Sequence, residues 1–182
     1  MRVGIDAMGG DRAPEEPVKG AVIARQMISG DDRVVLVGDE PAIRACLAKA
    51  EGPMDHIEIR HTDQAIGMDD QQVEALRSKH NSSIALMAQM HKDGELDACI
   101  SAGNTGACVA AAQMRLRRLR GAHRPGIAII TPTFRGPVAI CDVGANVNCR
   151  PEHLHQYGVM ASVYVQAICG IARPRVGLLS VG

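Results

Sequence analysis

Short apolar runs alternate along the chain with longer segments in which apolar residues recur every three or four positions. Short runs bounded by glycine or polar residues are typical of buried strands, and the longer periodic segments are typical of helices. The pattern predicts strands at residues 3–7, 34–37, 57–60, 98–100, 127–131, 138–142 and 175–181. It predicts helices at residues 13–27, 41–50, 71–92, from 105 into 115–120, and 151–169. This alternation predicts an α/β fold with a mostly parallel sheet covered on both faces.

The clearest junction between a strand and a helix lies at residues 98–107. The start of a helix leaves unpaired backbone N–H groups beside the positive end of its dipole, and anions bind there. Gly103 and Gly106 allow close approach of the backbone, while Ser101, Asn104 and Thr105 add uncharged donors. We interpret the junction as a phosphate or oxyanion site. The alternative is an ordinary turn in which Asn104 or Thr105 caps the helix.

A second junction of the same kind follows the first predicted strand. Asp6 and Asp11 flank Gly9 and Gly10 immediately before a helix that opens with proline and two acids. The carboxylates could bind a hydroxyl, orient a neighbouring group or act as a base. Alternatively, Asp11 simply caps the helix.

A third junction follows the strand predicted at 138–142. Asp142 and Asn146 lie at its end, and Arg150 and His153 lie at the start of the next helix. Ligands of parallel sheets collect at the carboxyl ends of the strands. The three junctions are therefore expected to converge on one crevice.

Composition narrows the classes of function. The 182 residues carry 20 basic and 20 acidic side chains, only three aromatic residues (no Trp, two Tyr, one Phe), and six cysteines without a C-x-x-C pattern. A chain without a basic field or stacking platforms is not expected to bind nucleic acid. The cysteines indicate a reduced, cytoplasmic protein, and no apolar run approaches the length of a membrane span. No metal-ligand spacing, Walker A motif or dinucleotide fingerprint is present, so neither a metal nor another cofactor is expected.

Arginines cluster after the glycine-rich junction, at Arg115, Arg117, Arg118 and Arg120. The cluster is either a solvated helix end, whose cations offset the helix dipole, or a docking patch for an acidic partner or an anionic membrane face.

Four segments in order, at 6–11, 66–70, 101–107 and 142–146, resemble the motifs of the bacterial phosphate acyltransferases of phospholipid synthesis, the PlsX family. The resemblance covers the whole chain. It implies a three-layer αβα fold related to the isocitrate and isopropylmalate dehydrogenases, without their redox chemistry. It further implies a cytoplasmic homodimer that associates peripherally with the membrane. The implied reaction transfers a long fatty acyl group from acyl carrier protein to inorganic phosphate, and the acyl phosphate then serves a glycerol-phosphate acyltransferase.

On this resemblance we expect phosphate to bind at Ser101, Gly103, Asn104, Thr105 and Gly106, with Asn104 also donating to the oxyanion. Further substrate contacts are expected at Asp6, Gly9, Gly10, Asp11 and Asn146. Lys79 and Arg150 would neutralise the phosphate dianion, and His153 would donate a proton unless it only caps its helix or lies in the core. Asp142 would orient these donors. Acyl carrier protein, which is acidic, is expected to dock at Arg115, Arg117, Arg118 and Arg120.

Two features depart from the family. Gln71 and Gln72 stand in the loop where the family tends to prolines, and Asn148 stands where an aspartate is usual. The family members are also nearly twice as long, so residues 1–182 are expected to form an N-terminal α/β portion. The alternatives are an inactive phosphate- or carrier-binding fragment and a phosphotransacetylase for small acyl groups.

Overall fold

A computed structural model describes residues 1–180, which divide into two units. Unit 1 covers Met1–Arg117, and unit 2 begins at Arg118. The strands of unit 1 are β1 (Arg2–Asp6), β2 (Arg33–Gly38), β3 (Ile57–His61) and β4 (Ala98–Ile100). Its helices are α1 (Glu15–Ala24), α2 (Glu40–Leu47), α3 (Gln72–Ser78), α4 (Ser83–Lys92) and α5 (Thr105–Arg115). The four strands form a parallel sheet in the order β3-β2-β1-β4.

The sheet of unit 1 is flanked by helices because β2 is apolar on both faces. Val34 and Leu36 pack with residues of α1 and α2, including Ile43. Val35 and Val37 point the other way and pack with methionines of α4. Consecutive buried apolar residues are the signature of a parallel strand buried on both sides. The α/β prediction is confirmed for this unit.

Two predicted helices of unit 1 differ in the structure. The helix expected at 71–92 is two helices, α3 and α4, separated at residues 79–82. Lys79 leaves the helical conformation, with φ −105° and ψ 58°. The helix expected to run into 115–120 ends at Arg115, because Arg117 adopts a left-handed φ of 66° that an α-helix cannot continue through.

Unit 2 contains β5 (Ala128–Thr133), β6 (Gly136–Cys141) and α6 (Pro151–Cys169). The two strands form an antiparallel hairpin, so the prediction that they belong to a parallel sheet is wrong. A parallel connection needs a crossover of about a dozen residues, and the link between these strands is too short. The prediction of a strand at 175–181 is also wrong, because residues 175–180 form no strand in the structure. Val181 lies outside the described residues.

Helix α6 carries apolar side chains around most of its circumference. His153, Tyr157 and Val165 are buried, whereas Val163 and Ile168 are 59% and 62% exposed. An amphipathic helix of a globular protein usually keeps its outer face polar. The outer face of α6 is therefore an uncovered apolar surface. Among residues 1–180, no helix is both long enough and apolar enough to cross a bilayer.

Candidate functional site

Asp6 joins the first two glycine-rich junctions. Its carboxylate is 2% exposed. Oδ1 accepts the backbone N–H of Met8 at 3.0 Å, and Oδ2 accepts the hydroxyl of Ser101 at 2.7 Å. The Ser101 oxygen in turn accepts the N–H of Gly103 at 3.0 Å. One buried carboxylate therefore fixes the β1–α1 turn and the β4–α5 turn to each other.

The two turns also approach each other through their backbones. A Cβ added at Gly9 would lie 2.8 Å from the nitrogen of Gly103 and 2.6 Å from Oδ2 of Asp6. Gly10 has φ 96°, a conformation that favours glycine. Both glycines are thus required by the geometry of the junction, one for space and one for its backbone angle.

Asn104 caps α5, which confirms the alternative that this residue serves as a helix cap. Its Oδ1 accepts the N–H of Ala107 at 3.0 Å, and the side chain is 5% exposed. Its Nδ2 donates to the carbonyls of Gly67 and Met68, both at 3.2 Å. The Asn104 amide, which was expected to donate to an oxyanion, thus donates to the loop that contains Gly67 and Met68. Its oxyanion role stays a prediction and would require this loop to move.

The first turn of α5 keeps open donors. Within residues 1–180, the backbone N–H groups of Thr105 and Gly106 donate no hydrogen bond to a protein acceptor. These groups point away from the helix body at the positive end of its dipole. The start of α5 can therefore hold an anion with neutral donors.

Lys79 is engaged with the acidic loop at residues 66–70. Its Nζ lies 2.5 Å from Oδ2 of Asp70, and the same oxygen accepts the N–H of Gly67 at 2.7 Å. The bond from Lys79 and then the bond from Gly67 lower the pKa of Asp70 below its ordinary 3.8. In this structure Lys79 fastens the loop, and its expected role against phosphate stays a prediction.

We expect the Asp70–Lys79 pair to stabilise unit 1 at neutral pH and to lose that effect in acid. Because the folded-state pKa of Asp70 is lowered, the contribution is complete above the unfolded value and disappears as pH falls through the folded value. The Lys79→Met variant should have a lower free energy of unfolding than the unaltered chain at pH 7. Urea unfolding from pH 7 to pH 2 should show the two chains converging.

The matched control for that comparison is Lys19→Met, which removes an exposed lysine on α1. The difference in free energy of unfolding between Lys19→Met and the unaltered chain should not depend on pH between pH 7 and pH 2. High salt should reduce the effect of Lys79→Met, because the pair is partly exposed. A difference for Lys79→Met that stays constant down to pH 2 would contradict the prediction.

Asp11 takes no part in capping. The N-cap of α1 is Pro14, and the exposed Asp11 side chain makes no hydrogen bond to another described residue. The capping alternative for Asp11 is therefore wrong. A substrate contact by this carboxylate stays a prediction.

In unit 2, Asp142 organises the segment that follows β6. Its Oδ1 accepts the N–H of Ile127 at 2.7 Å, and its Oδ2 accepts the N–H of Asn146 at 2.7 Å. The Asn146 amide donates to the carbonyl of Pro125 at 2.9 Å. Both side chains hold this loop together, and the expected role of Asp142 in orienting the donors stays a prediction. Because β6 belongs to an antiparallel hairpin, the argument that placed this junction with the other two does not apply.

His153 caps α6. The ring is 9% exposed, and its Nδ1 accepts the backbone N–H of Arg150 at 3.2 Å, which places the ring hydrogen on Nε2. Arg150 itself is exposed, and its Nη1 lies 3.8 Å from Oε1 of Glu152. One turn further, burial raises the pKa of Tyr157 to about 12, and its hydroxyl has no partner among the described residues. The capping alternative for His153 is confirmed, and its role as a proton donor stays a prediction.

The predicted arginine cluster straddles the boundary between the units. Arg115 ends α5 and Arg117 follows it in unit 1, whereas Arg118 and Arg120 belong to unit 2. Arg118 donates to the carbonyl of His123. The interpretation of Arg117, Arg118 and Arg120 as part of a helix end is wrong, because all three lie beyond α5.

The sequence analysis named Gln72 only as a departure from the family and did not predict its contact with α5. A Cβ added at Gly106 would lie 2.2 Å from Cδ, 2.4 Å from Nε2 and 2.6 Å from Oε1 of Gln72. The carboxamide of Gln72 therefore lies against the first turn of α5. The glycine at position 106, inside a helix, was the available signal, since glycine is unfavourable there without a packing reason. Among the described residues, no group of three or more His, Cys, Asp or Glu side chains could hold a metal ion.

Comparison with known proteins gives a consistent result. The family described as fatty acid synthesis protein matches residues 1–182. The chain is 46% identical to the phosphate acyltransferase of Moorella thermoacetica over 182 residues, which are all of this chain and 53% of that protein. It is 49% identical to the phosphate acyltransferase of Geobacillus thermodenitrificans and 48% identical to that of Bacillus cereus strain ATCC 14579, in each case over all of this chain and 54% of the relative. The chain thus spans about half the length of the curated relatives it matches. From its first residue to its last, it belongs to the fatty acid synthesis protein family and is similar to the phosphate acyltransferases.

Proposed function

We propose that the chain contributes the phosphate-binding part of a phosphate acyltransferase, which transfers a long fatty acyl group from acyl carrier protein to inorganic phosphate. The observation that carries the proposal is the pair of open N–H groups on Thr105 and Gly106, at a turn that Asp6 holds in place. Phosphate is the expected anion because the relatives that match the whole chain are named phosphate acyltransferases.

The proposed reaction needs no covalent enzyme intermediate. A phosphate oxygen attacks the carbonyl carbon of the thioester, and the carbonyl electron pair moves onto its oxygen. When that pair returns, the carbon–sulfur bond breaks and the thiolate leaves. The proton lost by the phosphate hydroxyl ends on the thiol of the carrier, so the products are acyl phosphate and free carrier. Positioning and stabilisation of negative charge are what this reaction requires of the protein.

In unit 1, the proposed task is to hold phosphate against the start of α5. Thr105 and Gly106 donate backbone N–H groups, and the hydroxyl of Thr105 adds a further donor. Gly103 and Ser101 are held in the same turn by Asp6. Fixed neutral donors bind an anion without having to reorganise when the reaction occurs.

In unit 2, the proposed roles remain those expected from the resemblance. Arg150 is exposed and could offset negative charge on phosphate. The ring of His153 carries its hydrogen on Nε2 and could donate it to the departing thiolate. Asp142 and Asn146 are hydrogen-bonded to each other in the loop that precedes Arg150 and His153.

The wider properties that the family resemblance implies are also proposed, for a longer protein of which residues 1–182 would form the N-terminal portion. These are a fold related to the isocitrate and isopropylmalate dehydrogenases, a homodimer, and a cytoplasmic location with peripheral membrane contact. The acyl phosphate would pass to a glycerol-phosphate acyltransferase. No cofactor is needed by the proposed reaction.

The direct test is to incubate the chain with long-chain acyl carrier protein and phosphate and to trap acyl phosphate with hydroxylamine. Thioesters also react with hydroxylamine, so the matched control omits phosphate. Phosphate-dependent acyl hydroxamate would support the proposal. Phosphate binding without product would favour a binding fragment, which the half-length match makes the second candidate. Product from acetyl-CoA in preference to the long-chain donor would favour a small-acyl phosphotransacetylase.

Charge reversal at Arg117 and Arg118 is expected to weaken binding of acyl carrier protein about tenfold or more at low salt. The carrier is acidic, and surface charges of opposite sign speed association and favour one partner over others. The double variant Arg117→Glu, Arg118→Glu should also show a weaker dependence of affinity on salt. Fluorescence anisotropy with labelled carrier measures both quantities.

The control for charge reversal is Arg135→Glu with Arg173→Glu, which changes the net charge equally at two exposed arginines of unit 2 outside the cluster. This control should bind the carrier nearly as the unaltered chain does. Unchanged carrier affinity in the Arg117, Arg118 variant would refute the docking assignment. An equal loss in both variants would show a dependence on net charge alone.

A further inference from the structure

Gln72 stands at the start of α3, and its carboxamide occupies the space above Gly106 in α5. The contact is close, since an alanine Cβ at position 106 would fall 2.2 Å from Cδ of Gln72. Gly106 is the second residue of α5, beside the open N–H groups of its first turn. A side-chain amide therefore lies at the mouth of the proposed phosphate site.

The carboxamide of Gln72 is available to a ligand. Within residues 1–180, neither its Oε1 nor its Nε2 makes a hydrogen bond to the protein, and the residue is exposed. An amide nitrogen offers two donors to phosphate without adding charge. Lys79, which lies seven residues further along the chain, already pairs with Asp70.

The position of Gln72 is fixed from both sides. Before it, the two hydrogen bonds from Asn104 hold the carbonyls of Gly67 and Met68 to α5. After it, Ala75 and Leu76 are buried in one cluster with Ala107 of α5. The start of α3 is thus held against the start of α5, so the carboxamide needs little reorganisation to meet a bound anion.

We propose that Gln72 is a substrate-binding residue whose side-chain Nε2 donates to the phosphate held at the first turn of α5. This inference rests on the proposed function, because it adds a ligand to the same anion site. In this chain, a larger residue at position 106 would displace the carboxamide. Phosphate is then bound by the N–H groups of Thr105 and Gly106 on one side and by Gln72 on the other.

The test is calorimetric titration of the full chain with inorganic phosphate at constant ionic strength. Gln72→Ala should weaken phosphate binding about tenfold to a hundredfold, the range for one hydrogen bond to a charged group. Gln72→Glu should weaken it further, because a carboxylate repels the anion. The controls are Gln71→Ala and Gln71→Glu, which make the same changes one residue earlier and should bind as the unaltered chain does.

A second pair of variants separates binding from folding. Gly106→Ala keeps the backbone N–H but should push the flexible Gln72 side chain aside, with thermal stability unchanged or slightly raised. Its phosphate affinity should fall as in Gln72→Ala, and the double variant should show no further loss. Equal binding by Gln72→Ala and the unaltered chain would overturn the inference alone. No phosphate binding by the unaltered chain would overturn the phosphate site and the inference together.

Discussion

Asn104→Ala is expected to lower the free energy of unfolding of unit 1 by about 3 kcal/mol. The substitution removes the cap of α5, which contributes about 1 kcal/mol in comparable helices. It also removes the two hydrogen bonds to the carbonyls of Gly67 and Met68, at about 1 kcal/mol each. Urea unfolding followed by far-ultraviolet circular dichroism measures the change.

Asn104→Asp separates the two tasks of this side chain. A carboxylate still accepts the N–H of Ala107, and the helix dipole favours it. It cannot donate to the carbonyls of Gly67 and Met68 and would repel them. We therefore expect a loss of about 2 kcal/mol, together with faster hydrogen exchange confined to the acidic loop. The control is Asn148→Ala, at an exposed asparagine of unit 2. A change below about 0.5 kcal/mol in Asn104→Ala would contradict the prediction.

The second large effect is expected at Asp6. Asp6→Ala leaves the N–H of Met8 and the hydroxyl of Ser101 without their acceptor at a buried position. Each unsatisfied buried group costs about 1–3 kcal/mol, so a loss of about 3 kcal/mol or more is expected. Phosphate affinity should fall with it, because the β4–α5 turn is no longer fixed. The measurements are urea unfolding and phosphate titration of the same preparation.

Asp6→Asn is the conservative variant. Its Oδ1 still accepts from Met8, and its amide can donate to the oxygen of Ser101, so a smaller loss of about 1 kcal/mol is expected. The control is Asp11→Ala, which removes an exposed carboxylate from the same turn and should change stability by less than about 0.5 kcal/mol. If Asp6→Ala were no more destabilising than Asp11→Ala, the carboxylate would not be what joins the turns.

The parts of the fold that the sequence predicted are those specified locally. The apolar run of β2 and the junction at 98–107 each carry their own signal, and both elements form where the pattern predicts them. The hairpin of unit 2 was misassigned because strand periodicity says nothing about strand direction. The short link between β5 and β6 was the informative feature, since it leaves no room for a crossover.

The candidate site was predictable in its residue types and less so in its contacts. The carboxylate of Asp6, the glycines and the cap at Asn104 follow from local rules for turns and helix starts. The bonds from Asn104 to Gly67 and Met68 join residues 37 and 36 positions apart, and no local rule predicts them. The same is true of Gln72 and Gly106. Lys79 was expected to meet phosphate because it is a cation, and its charge does not say which anion it meets.

The bond between Asp6 and Ser101 joins residues 95 positions apart in the chain. Closing so long a loop has an entropic cost that must be met before the contact contributes anything. During synthesis, β1 and its glycine turn leave the ribosome long before β4 is made. The anion site can therefore assemble only when nearly all of unit 1 has been translated. Until then, the carboxylate of Asp6 stays hydrated and β1 lacks one of its two neighbours.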